Sequence, residues 1–265
     1  MKYFVFGSNG MMGKYFCSVA KNVVSITRKD YDVMENDVSF LSDLLVRKGM
    51  EPGDIIMNCA GAVKQREFPL SQYVTINSLF PHQLEFVAEK MGGKLIHLTT
   101  DCVYDGLSGN YDENDNHTCT DWYGKSKSLG EPENSCCIRT SIIGLGSANN
   151  VSLLDWFLNE TSQVPLKGYM NHFWNGTTCL ELSRYIINMG SDLWSGTRHV
   201  HSNPTSKFDL LKNFNRVFEL NKELIPVMDK NRCDRTLSSL YNEPVSNTIE
   251  KQLEELKIHH ENSIC

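Results

Sequence analysis

Two side chains that could exchange a proton lie four residues apart in the middle of the chain, at Tyr123 and Lys127. On a helix this spacing places a phenol and an amine side by side on one face. An ammonium near a phenol favours the phenolate, so the pair predicts a tyrosine with a lowered pKa and a usable proton donor near neutral pH. The same amine could hydrogen-bond a ribose. This spacing is also common on solvated helix faces, so the elements around it decide the interpretation.

The first of those elements is an apolar run that breaks into three glycines, Lys2-Tyr-Phe-Val-Phe-Gly-Ser-Asn-Gly-Met-Met-Gly13. The pattern predicts a buried strand, a tight turn and a helix that begins at about Met11. Gly7 allows the turn, Gly10 lets the backbone approach a ligand, and Gly13 lets the helix pack on its strand. Free N–H groups at the helix start face the loop, so the turn is predicted to hold a pyrophosphate.

Strand and helix patterns alternate along the rest of the chain. The later strands are predicted at 23–27, 55–59, 94–100, 135–140 and 197–200, and the helices at about 38–48, 70–91, 151–160, 178–190, 206–219 and 249–257. This alternation is typical of a doubly wound parallel sheet covered on both faces. We therefore predict an α/β fold with a nucleotide-binding domain over 1–145, to which about 178–200 return. The remainder, 146–265, is predicted to form mainly a smaller substrate-binding domain.

The ends of the predicted strands supply the next candidates. Arg28 and Lys29 follow the second strand, where basic side chains would pair with the 2′-phosphate of NADP and an acidic one would bind the ribose of NAD. NADPH is therefore the expected cofactor. NADH is the alternative, because Asp30 could reach the ribose while the basic residues face water. Thr100 ends the fourth strand and adds a hydroxyl to the predicted chemistry.

The composition of the chain argues against some classes of binding partner. Lys plus Arg number 26 and Asp plus Glu 32, a net charge of −6, which argues against nucleic acid or a membrane surface as the main partner. The nine cysteines are an odd number without a C-x-x-C pair or matching histidines, so we expect reduced thiols, no metal site and a cytoplasmic protein. Neither a signal segment nor an apolar run of membrane-spanning length is evident.

These motifs together resemble the extended short-chain dehydrogenase/reductases, and among them the dTDP-4-dehydrorhamnose reductase family of nucleotide-sugar reductases. The matching pieces occur in the family's order and are Gly7-Ser-Asn-Gly-Met-Met-Gly13, Asn58-Cys-Ala-Gly61, Asn77, Thr99-Thr-Asp-Cys-Val-Tyr104, Tyr123-Gly-Lys-Ser-Lys127, Arg139-Thr-Ser141 and Asp234-Arg-Thr-Leu-Ser-Ser239. The resemblance implies a Rossmann fold and reduction of a 4-keto sugar on a nucleoside diphosphate. Thr100 would then bind the keto oxygen, Tyr123 would protonate it, and Lys127 would hold the nicotinamide ribose.

The resemblance also implies binding residues. Those expected at the cofactor are Gly7, Asn9, Gly10, Met11 and Met12 at the phosphates, Arg28 at the 2′-phosphate, Asp37 and Val38 at adenine, and Cys59, Ala60 and Gly61 along the ribose. Those expected at the sugar nucleotide are Cys102, Val103, Tyr104, Thr140, Ser141, Ile142, Trp174, Asn175 and Gly176, with Arg232 and Arg235 at the diphosphate. Asp37 could instead cap a helix, Trp174 could be a core aromatic, and the arginines could be structural or solvated.

The chain departs from the family pattern in places. Cys102 stands where these reductases usually have tyrosine, and related bifunctional epimerase/reductases place a cysteine there. Cys102, with His172 or Lys167, could therefore move protons beside the ketone, provided that a positive charge lowers its pKa. The alternative is a small side chain that lines the pocket. Ile142 replaces an expected aromatic residue, and only about eight residues separate Lys127 from the next strand, so the catalytic helix must be short.

Three functions follow from these observations. The leading hypothesis is an NADPH-dependent reductase of a nucleoside-diphosphate 4-keto-6-deoxyhexose, as in rhamnose and other deoxysugar biosynthesis. The second adds 3,5-epimerisation through Cys102. The third is a non-catalytic NADP-binding subunit, similar to the β subunit of methionine adenosyltransferase. By analogy with extended reductases, a homodimer is expected.

Overall fold

The structure is a computed structural model that describes residues 1–146, 152–162 and 164–264. In chain order its strands are β1 (Tyr3–Phe6), β2 (Val23–Ile26), β3 (Ile55–Asn58), β4 (Lys94–Thr100), β5 (Cys136–Thr140), β6 (Ile142–Ile143), β7 (Leu166–Tyr169), β8 (His172–Trp174), β9 (Thr177–Thr178), β10 (Gly196–His199), β11 (Thr205–Ser206), β12 (Leu224–Val227) and β13 (Cys233–Asp234). Its α-helices are α1 (Met11–Val19), α2 (Val38–Arg47), α3 (Leu70–Tyr73), α4 (Phe80–Lys90), α5 (Trp122–Ser128), α6 (Leu153–Asn159), α7 (Cys179–Met189), α8 (Lys207–Val217) and α9 (Ile249–Ile264).

The central sheet confirms the predicted doubly wound α/β fold. Within the described residues it has six parallel strands in the order β10-β5-β4-β3-β1-β2. Because the strands run in one direction, their carboxyl ends meet at the same edge, where Phe6 is level with Asn58 and Thr100 with Thr140. The glycine turn after β1 therefore lies along the same edge as the candidate chemistry at the end of β4.

Both faces of this sheet are buried. Val5 and Met57 pack in one hydrophobic layer with α1 and α7, whereas Phe4 and Ile56 pack in a second layer with α2 and α4. Strands covered on two sides need apolar residues at successive positions, which explains the unbroken apolar runs in the sequence. Among the described residues, no helix has both the length and the apolar character of a membrane span.

The helix predicted over 70–91 contains a π-helical segment, Val74–Leu79, between α3 and α4. Pro81 has no backbone N–H and so cannot donate the α-helical hydrogen bond to Asn77 O. The Asn77 side chain is fully buried and bonds to Ala62 N at 2.8 Å, to Ala62 O at 2.9 Å and to Ser126 Oγ at 3.1 Å. Asn77, within the π-helical segment, thus ties the loop after β3 to the helix α5.

The C-terminal region shares its core with one face of the sheet. Phe157 of α6, Phe214 of α8 and Leu253 of α9 belong to the same hydrophobic cluster as α1 and α7. A small sheet, β11-β8-β13, lies in this region, and α7 and β10 rejoin the central sheet.

The final helix extends beyond the predicted residue 257. Residue 151 of the predicted helix at 151–160 lies outside the described residues. The division of the chain at residue 145 stays a prediction.

Candidate active site

The tip of β4 forms the centre of the site. Thr100 is buried, and its hydroxyl donates to Asp101 Oδ1 at 3.1 Å and accepts the Cys102 N–H at 3.2 Å. These bonds shape a short 3₁₀ turn over Asp101–Val103. The hydroxyl is thereby held at the carboxyl end of the sheet, where ligands of parallel sheets bind.

The helix that carries the tyrosine is as short as its sequence predicts, and it packs closely on that tip. The Asp121 carboxylate caps α5 by accepting the Gly124 N–H at 2.8 Å, and it also bonds to Lys64 Nζ at 2.8 Å. A Cβ on Gly124 would overlap the carbonyl oxygen of Cys102. Glycine at this position therefore lets α5 bring its tyrosine up to the end of β4.

The tyrosine and lysine come together at this edge, but their electrostatics differ from the prediction. Burial raises the pKa of Tyr123, and the neighbouring Cys102 thiol raises it further, while its hydrogen-bond partner Thr100 acts in the opposite direction. Lys127 Nζ donates to Leu98 O at 2.7 Å, and burial lowers the pKa of the ammonium to about 8. The predicted lowering of the Tyr123 pKa is wrong for this structure, because loss of water around the phenol dominates and the net shift is upward.

The raised pKa of Tyr123 nevertheless suits a role as a proton donor. Tyr123 keeps its proton at neutral pH and is therefore a proton donor rather than a base. The arrangement can protonate an oxygen that becomes strongly basic during reaction, such as the alkoxide formed from a ketone.

The glycine turn has the shape expected for a dinucleotide phosphate site. Gly7 has a positive φ of 73°, its carbonyl oxygen accepts the Gly10 N–H at 2.8 Å, and a Cβ on Gly13 would overlap that oxygen. Asn9 and Gly10 are exposed and Met11 is half-buried, so this part of the turn borders open space. Met12 is buried in the core, which leaves only its backbone for a ligand. The cradle fits the pyrophosphate of a dinucleotide.

The residues expected at the adenosine end lie further along the edge. The Arg28 side chain pairs with Asp32 at 3.0 Å. Because the side chain is 79% exposed, a ligand can still reach its guanidinium. Asp30 is already engaged, because its bonds to Lys48 and Thr27 lower its pKa to about 2. Asp30 is therefore poorly placed as a ribose ligand, which favours a phosphate at Arg28.

Asp37 has a structural role whichever ligand binds. Its carboxylate caps α2 by accepting the Phe40 N–H at 3.0 Å. Contact of Asp37 and the half-buried Val38 with adenine stays a prediction.

The segment after β3 lies against the glycine turn. A Cβ on Gly7 would be 2.7 Å from Ala60 N, and Ala60 N donates to Asn58 Oδ1 at 3.0 Å. Gly61 is exposed, and burial raises the pKa of the Cys59 thiol. These small residues leave space beside the turn, and their contact with the ribose stays a prediction.

The expected substrate residues form two groups, one with Tyr104 and one around Trp174. Val103 and Tyr104 are fully buried, and the Tyr104 hydroxyl donates to Asp112 O at 3.0 Å and accepts from Arg139 at 2.6 Å. Asn175 is also buried and bonds to both Leu237 N and Leu237 O. Neighbouring protein groups occupy the polar atoms of Tyr104 and Asn175, and the Val103 side chain is apolar and buried. Contact of these three residues with a sugar nucleotide stays a prediction.

The second group surrounds Trp174, and its half-buried members are Ser141 and Ile142. The Trp174 indole N–H donates to Ser141 Oγ at 2.8 Å, and the neighbouring Thr140 is buried. Trp174 itself is 5% exposed and belongs to the hydrophobic core, as the alternative interpretation of this residue proposed. Gly176 packs against this group, since a Cβ there would overlap the Ser141 carbonyl oxygen.

The two arginines are held differently. Arg235 Nε donates to Tyr104 O at 3.0 Å and its NH2 group to Asp105 O at 3.3 Å, which fixes the guanidinium near the tip of β4. Arg232 is more exposed and pairs with Asp234 at 2.8 Å. A diphosphate contact at either arginine stays a prediction.

The condition for epimerisation through Cys102 is not met. Burial raises the pKa of the Cys102 thiol to about 12, and Asp101 raises it further, although Arg235 acts in the opposite direction. His172 bonds to Asn231 O at 3.0 Å, and Lys167 is exposed. A protonated thiol is a poor base, so the geometry favours the interpretation in which Cys102 lines the pocket.

Sequence reasoning missed Asp101 and Lys207, which face each other across the site. Asp101 directly follows the candidate threonine, so its position was a usable signal. Lys207 carried no signal, since a single lysine at a helix start is common. Only the pairing of distant strands brings it to the site.

Comparison with known proteins decides the family. A family model described as the RmlD substrate binding domain matches residues 1–235 of this chain. The chain belongs to the RmlD family. Its relatives include the dTDP-4-keto-6-deoxy-D-glucose reductase of Streptomyces niveus, 29% identical over 214 residues that cover 74% of this chain and 72% of that protein. The spore coat polysaccharide biosynthesis protein SpsK of Bacillus subtilis is 28% identical over 204 residues, which cover 72% of this chain and 70% of that protein.

Solved structures confirm the RmlD-type fold. A dTDP-4-dehydrorhamnose reductase from Bacillus anthracis, in complex with NADP, matches with a TM-score of 0.80 at 19% identity and covers 97% of this chain and 99% of its own. A dTDP-4-dehydrorhamnose reductase from Clostridium acetobutylicum gives a TM-score of 0.79 at 22% identity, with 98% and 100% covered. The resemblance to extended short-chain reductases of this family is thereby confirmed.

Proposed function

We propose that this protein uses NADPH to reduce the 4-keto group of a nucleoside-diphosphate-linked 4-keto-6-deoxyhexose, as in deoxysugar biosynthesis. The observation that carries the proposal is the packing of Tyr123 and Lys127 against Thr100, along the edge that holds the glycine turn. Membership in the RmlD family supports it. So do a relative named as a reductase of a dTDP-4-keto-6-deoxy sugar and a related structure in complex with NADP.

The cofactor site follows from the same edge. The backbone of the turn over residues 7–12 would hold the pyrophosphate, Arg28 the 2′-phosphate, and Lys127 the nicotinamide ribose. When bound, reduced nicotinamide supplies a hydride. The chain's own residues must then place the ketone, keep water out and deliver a proton.

The proton comes from Tyr123 in this mechanism. The Thr100 hydroxyl hydrogen can rotate, so it can turn from Asp101 to the keto oxygen and hold it beside the phenol. As negative charge develops on that oxygen, its proton affinity exceeds that of the phenolate, and the proton moves from Tyr123 to C4–O. The Lys127 ammonium, fixed by Leu98 O, stabilises the phenolate that remains.

The proposal is tested by NADPH oxidation with a panel of dTDP-, UDP- and GDP-linked 4-keto-6-deoxyhexoses. Tyr123→Phe should lower kcat by about 10²–10⁴-fold, because it removes only the transferable proton. Tyr241→Phe is the matched control, since Tyr241 is 58% exposed and its ring remains after substitution. Both variants should bind NADPH as the wild type does.

Absence of turnover with the whole panel would contradict the proposal. If Tyr123→Phe then also left the biological role intact, the non-catalytic NADP-binding subunit would be the better interpretation. Solvent deuterium entering the sugar at C3 or C5 would instead restore the epimerase hypothesis. A homodimer and a cytoplasmic location stay predictions.

A further inference from the structure

The small sheet β11-β8-β13 brings three distant segments to one edge of the site. Trp174 on β8 pairs with Thr205, and Phe173 pairs with Ser206 on one side and Asp234 on the other. Lys207 follows β11 and Arg235 follows β13, so the two cations flank Trp174. The Lys207 ammonium lies 5.6 Å from the centroid of the Trp174 ring.

The Lys207 side chain is half-buried, and its ammonium lies against the Trp174 ring rather than against an anionic group. Among the described residues it has no hydrogen bond, and no carboxylate lies within 4.0 Å of it. Burial lowers the pKa of Lys207, while Asp101, Cys233 and Cys102 act to raise it and Arg235 lowers it further. An unpaired ammonium in such a place costs free energy, which a complementary ligand would offset.

The carboxyls around Lys207 and Arg235 are already engaged. Asp101 acts on both cations, but burial raises its pKa and it accepts a hydrogen bond from Thr100. Asp105 and Asp121 act on Arg235 and accept hydrogen bonds from Tyr111 and Lys64. In the described part of the chain, Lys207 is thus a cation without a carboxylate of its own, beside the candidate catalytic threonine.

We propose that Lys207 binds an anionic oxygen group of the substrate and so determines which sugar nucleotides the site accepts. The inference rests on the proposed function and adds a specificity residue to it. Arg235 holds the walls of the pocket through two backbone carbonyls, while Lys207 keeps its donors for the ligand. In a sugar nucleotide such a group is the diphosphate or a carboxylate on the sugar, and the 6-deoxyhexose of the proposed function has only the first.

Binding experiments on the full chain separate these sources. Calorimetry with NADP present would measure the affinity of dTDP and UDP, and then of UDP-glucose against UDP-glucuronic acid. Lys207→Met removes the charge and keeps the length of the side chain, and Lys207→Arg restores the charge. Lys212→Met is the matched control, because Lys212 lies on the same helix but is 58% exposed and pairs with Asp209. Unchanged NADP affinity would show that each variant is folded.

If Lys207 binds the diphosphate, Lys207→Met should weaken dTDP or UDP binding at least tenfold, with Lys207→Arg close to the wild type. If it binds a sugar carboxylate, nucleoside diphosphate binding should be unchanged and the preference for UDP-glucuronic acid over UDP-glucose should disappear. If Lys207→Met binds all four ligands with the wild-type affinities, the inference is overturned and the proposed function is unaffected. A wild type that binds NADP but none of the four ligands would also overturn the inference, whereas the proposed function is decided separately by turnover with the panel of 4-keto sugars.

Discussion

At the scale of residues, the candidate chemistry depends on how far each group is removed from water. The four-residue spacing of Tyr123 and Lys127 predicts that they share a helix face, and they do. The spacing does not predict their pKa values, because loss of hydration raises the pKa of Tyr123 and lowers that of Lys127. The phenol is thus a stable proton donor, and the ammonium becomes the group that titrates near neutral pH.

The pH dependence of reduction should therefore report Lys127. Its ammonium, with a pKa of about 8, is present below that pH and is lost as the pH rises through it. We expect kcat/KM for the ketone to be level between pH 6 and 7.5 and to fall by about tenfold per pH unit well above pH 8. A pH–rate profile measures this, with Lys125→Met as a control on the exposed face of the same helix. A rate that stays level to pH 10 would contradict the assignment.

Cofactor preference should depend on Arg28. Removing its guanidinium in Arg28→Ala takes away a charge-assisted bond to the 2′-phosphate, so NADPH affinity should fall by about tenfold or more. NADH affinity should hardly change, because NADH has no phosphate at that position. Fluorescence titration with both cofactors measures the ratio. An equal loss for NADPH and NADH would show that Arg28 does not contact the phosphate.

At the scale of elements, two close approaches assemble the site. Gly13 allows α1 to start against the turn after β1, and Gly124 allows α5 to lie on the tip of β4. The π-helical segment adds a third tie, because Asn77 bonds to Ala62 and Ser126. At Gly13 and Gly124 the close approach of another element leaves no room for a Cβ, and at Asn77 the neighbouring groups require a hydrogen-bonding side chain.

Substitutions at two glycines of the turn should affect stability and cofactor binding separately. Gly13→Ala places a methyl group against Gly7 O and should destabilise the fold by about 1–3 kcal/mol. Gly10 has a negative φ of −73° and only Gly7 O near its Cβ position, so Gly10→Ala should fold normally. Its methyl group borders the expected phosphate position, and NADPH affinity should fall by about tenfold. Thermal melts and titrations of both variants test this, and normal NADPH binding by Gly10→Ala would argue against the phosphate site.

At the scale of the whole molecule, a buried polar network joins the sheet to the C-terminal segment. Arg139 bonds to Glu131 at 2.6 Å, to Tyr104 at 2.6 Å and to His199 Nε2 at 2.8 Å, and His199 Nδ1 bonds to Ser238 O at 2.6 Å. Arg139 can only donate, so these partners assign His199 as the neutral tautomer with its hydrogen on Nδ1. Protonation of Nε2 would set an N–H against the guanidinium.

His199 should therefore make the fold sensitive to acid. Burial, followed by Arg139, lowers its pKa in the folded state to about 4, against about 6.5 in the unfolded chain. The unfolded state binds the proton first, so this stability is fully present above pH 6.5 and is lost as the pH falls towards 4. At pH 5 the loss amounts to about 2 kcal/mol.

Denaturant unfolding at pH 7.5 and pH 5 measures that loss. His199→Gln should be less stable at both values, because it breaks the network, but it should lose about 2 kcal/mol less than the wild type between them. His260→Gln on α9 is the control and should keep the wild-type difference. An equal difference in His199→Gln and the wild type would show that other groups cause the acid sensitivity.

The sequence by itself determined the features that local pattern controls. Apolar runs of strand length, glycines at fixed spacing and a tyrosine–lysine pair specify the alternating elements, the phosphate-type turn and one helix face, because each depends on near neighbours in the chain. The few residues between Lys127 and β5 also predicted that α5 is short, and it has seven residues.

Only the tertiary structure decided which of these groups meet and how they are charged. Lys207 reaches Trp174 because β11 pairs with β8, and the Tyr104 hydroxyl is bound by Asp112 and by Arg139, which is distant in sequence. The pKa values of Tyr123 and Cys102 are set by burial under elements distant in sequence. Hydration and long-range contacts are properties of the folded chain, so no local pattern contains them.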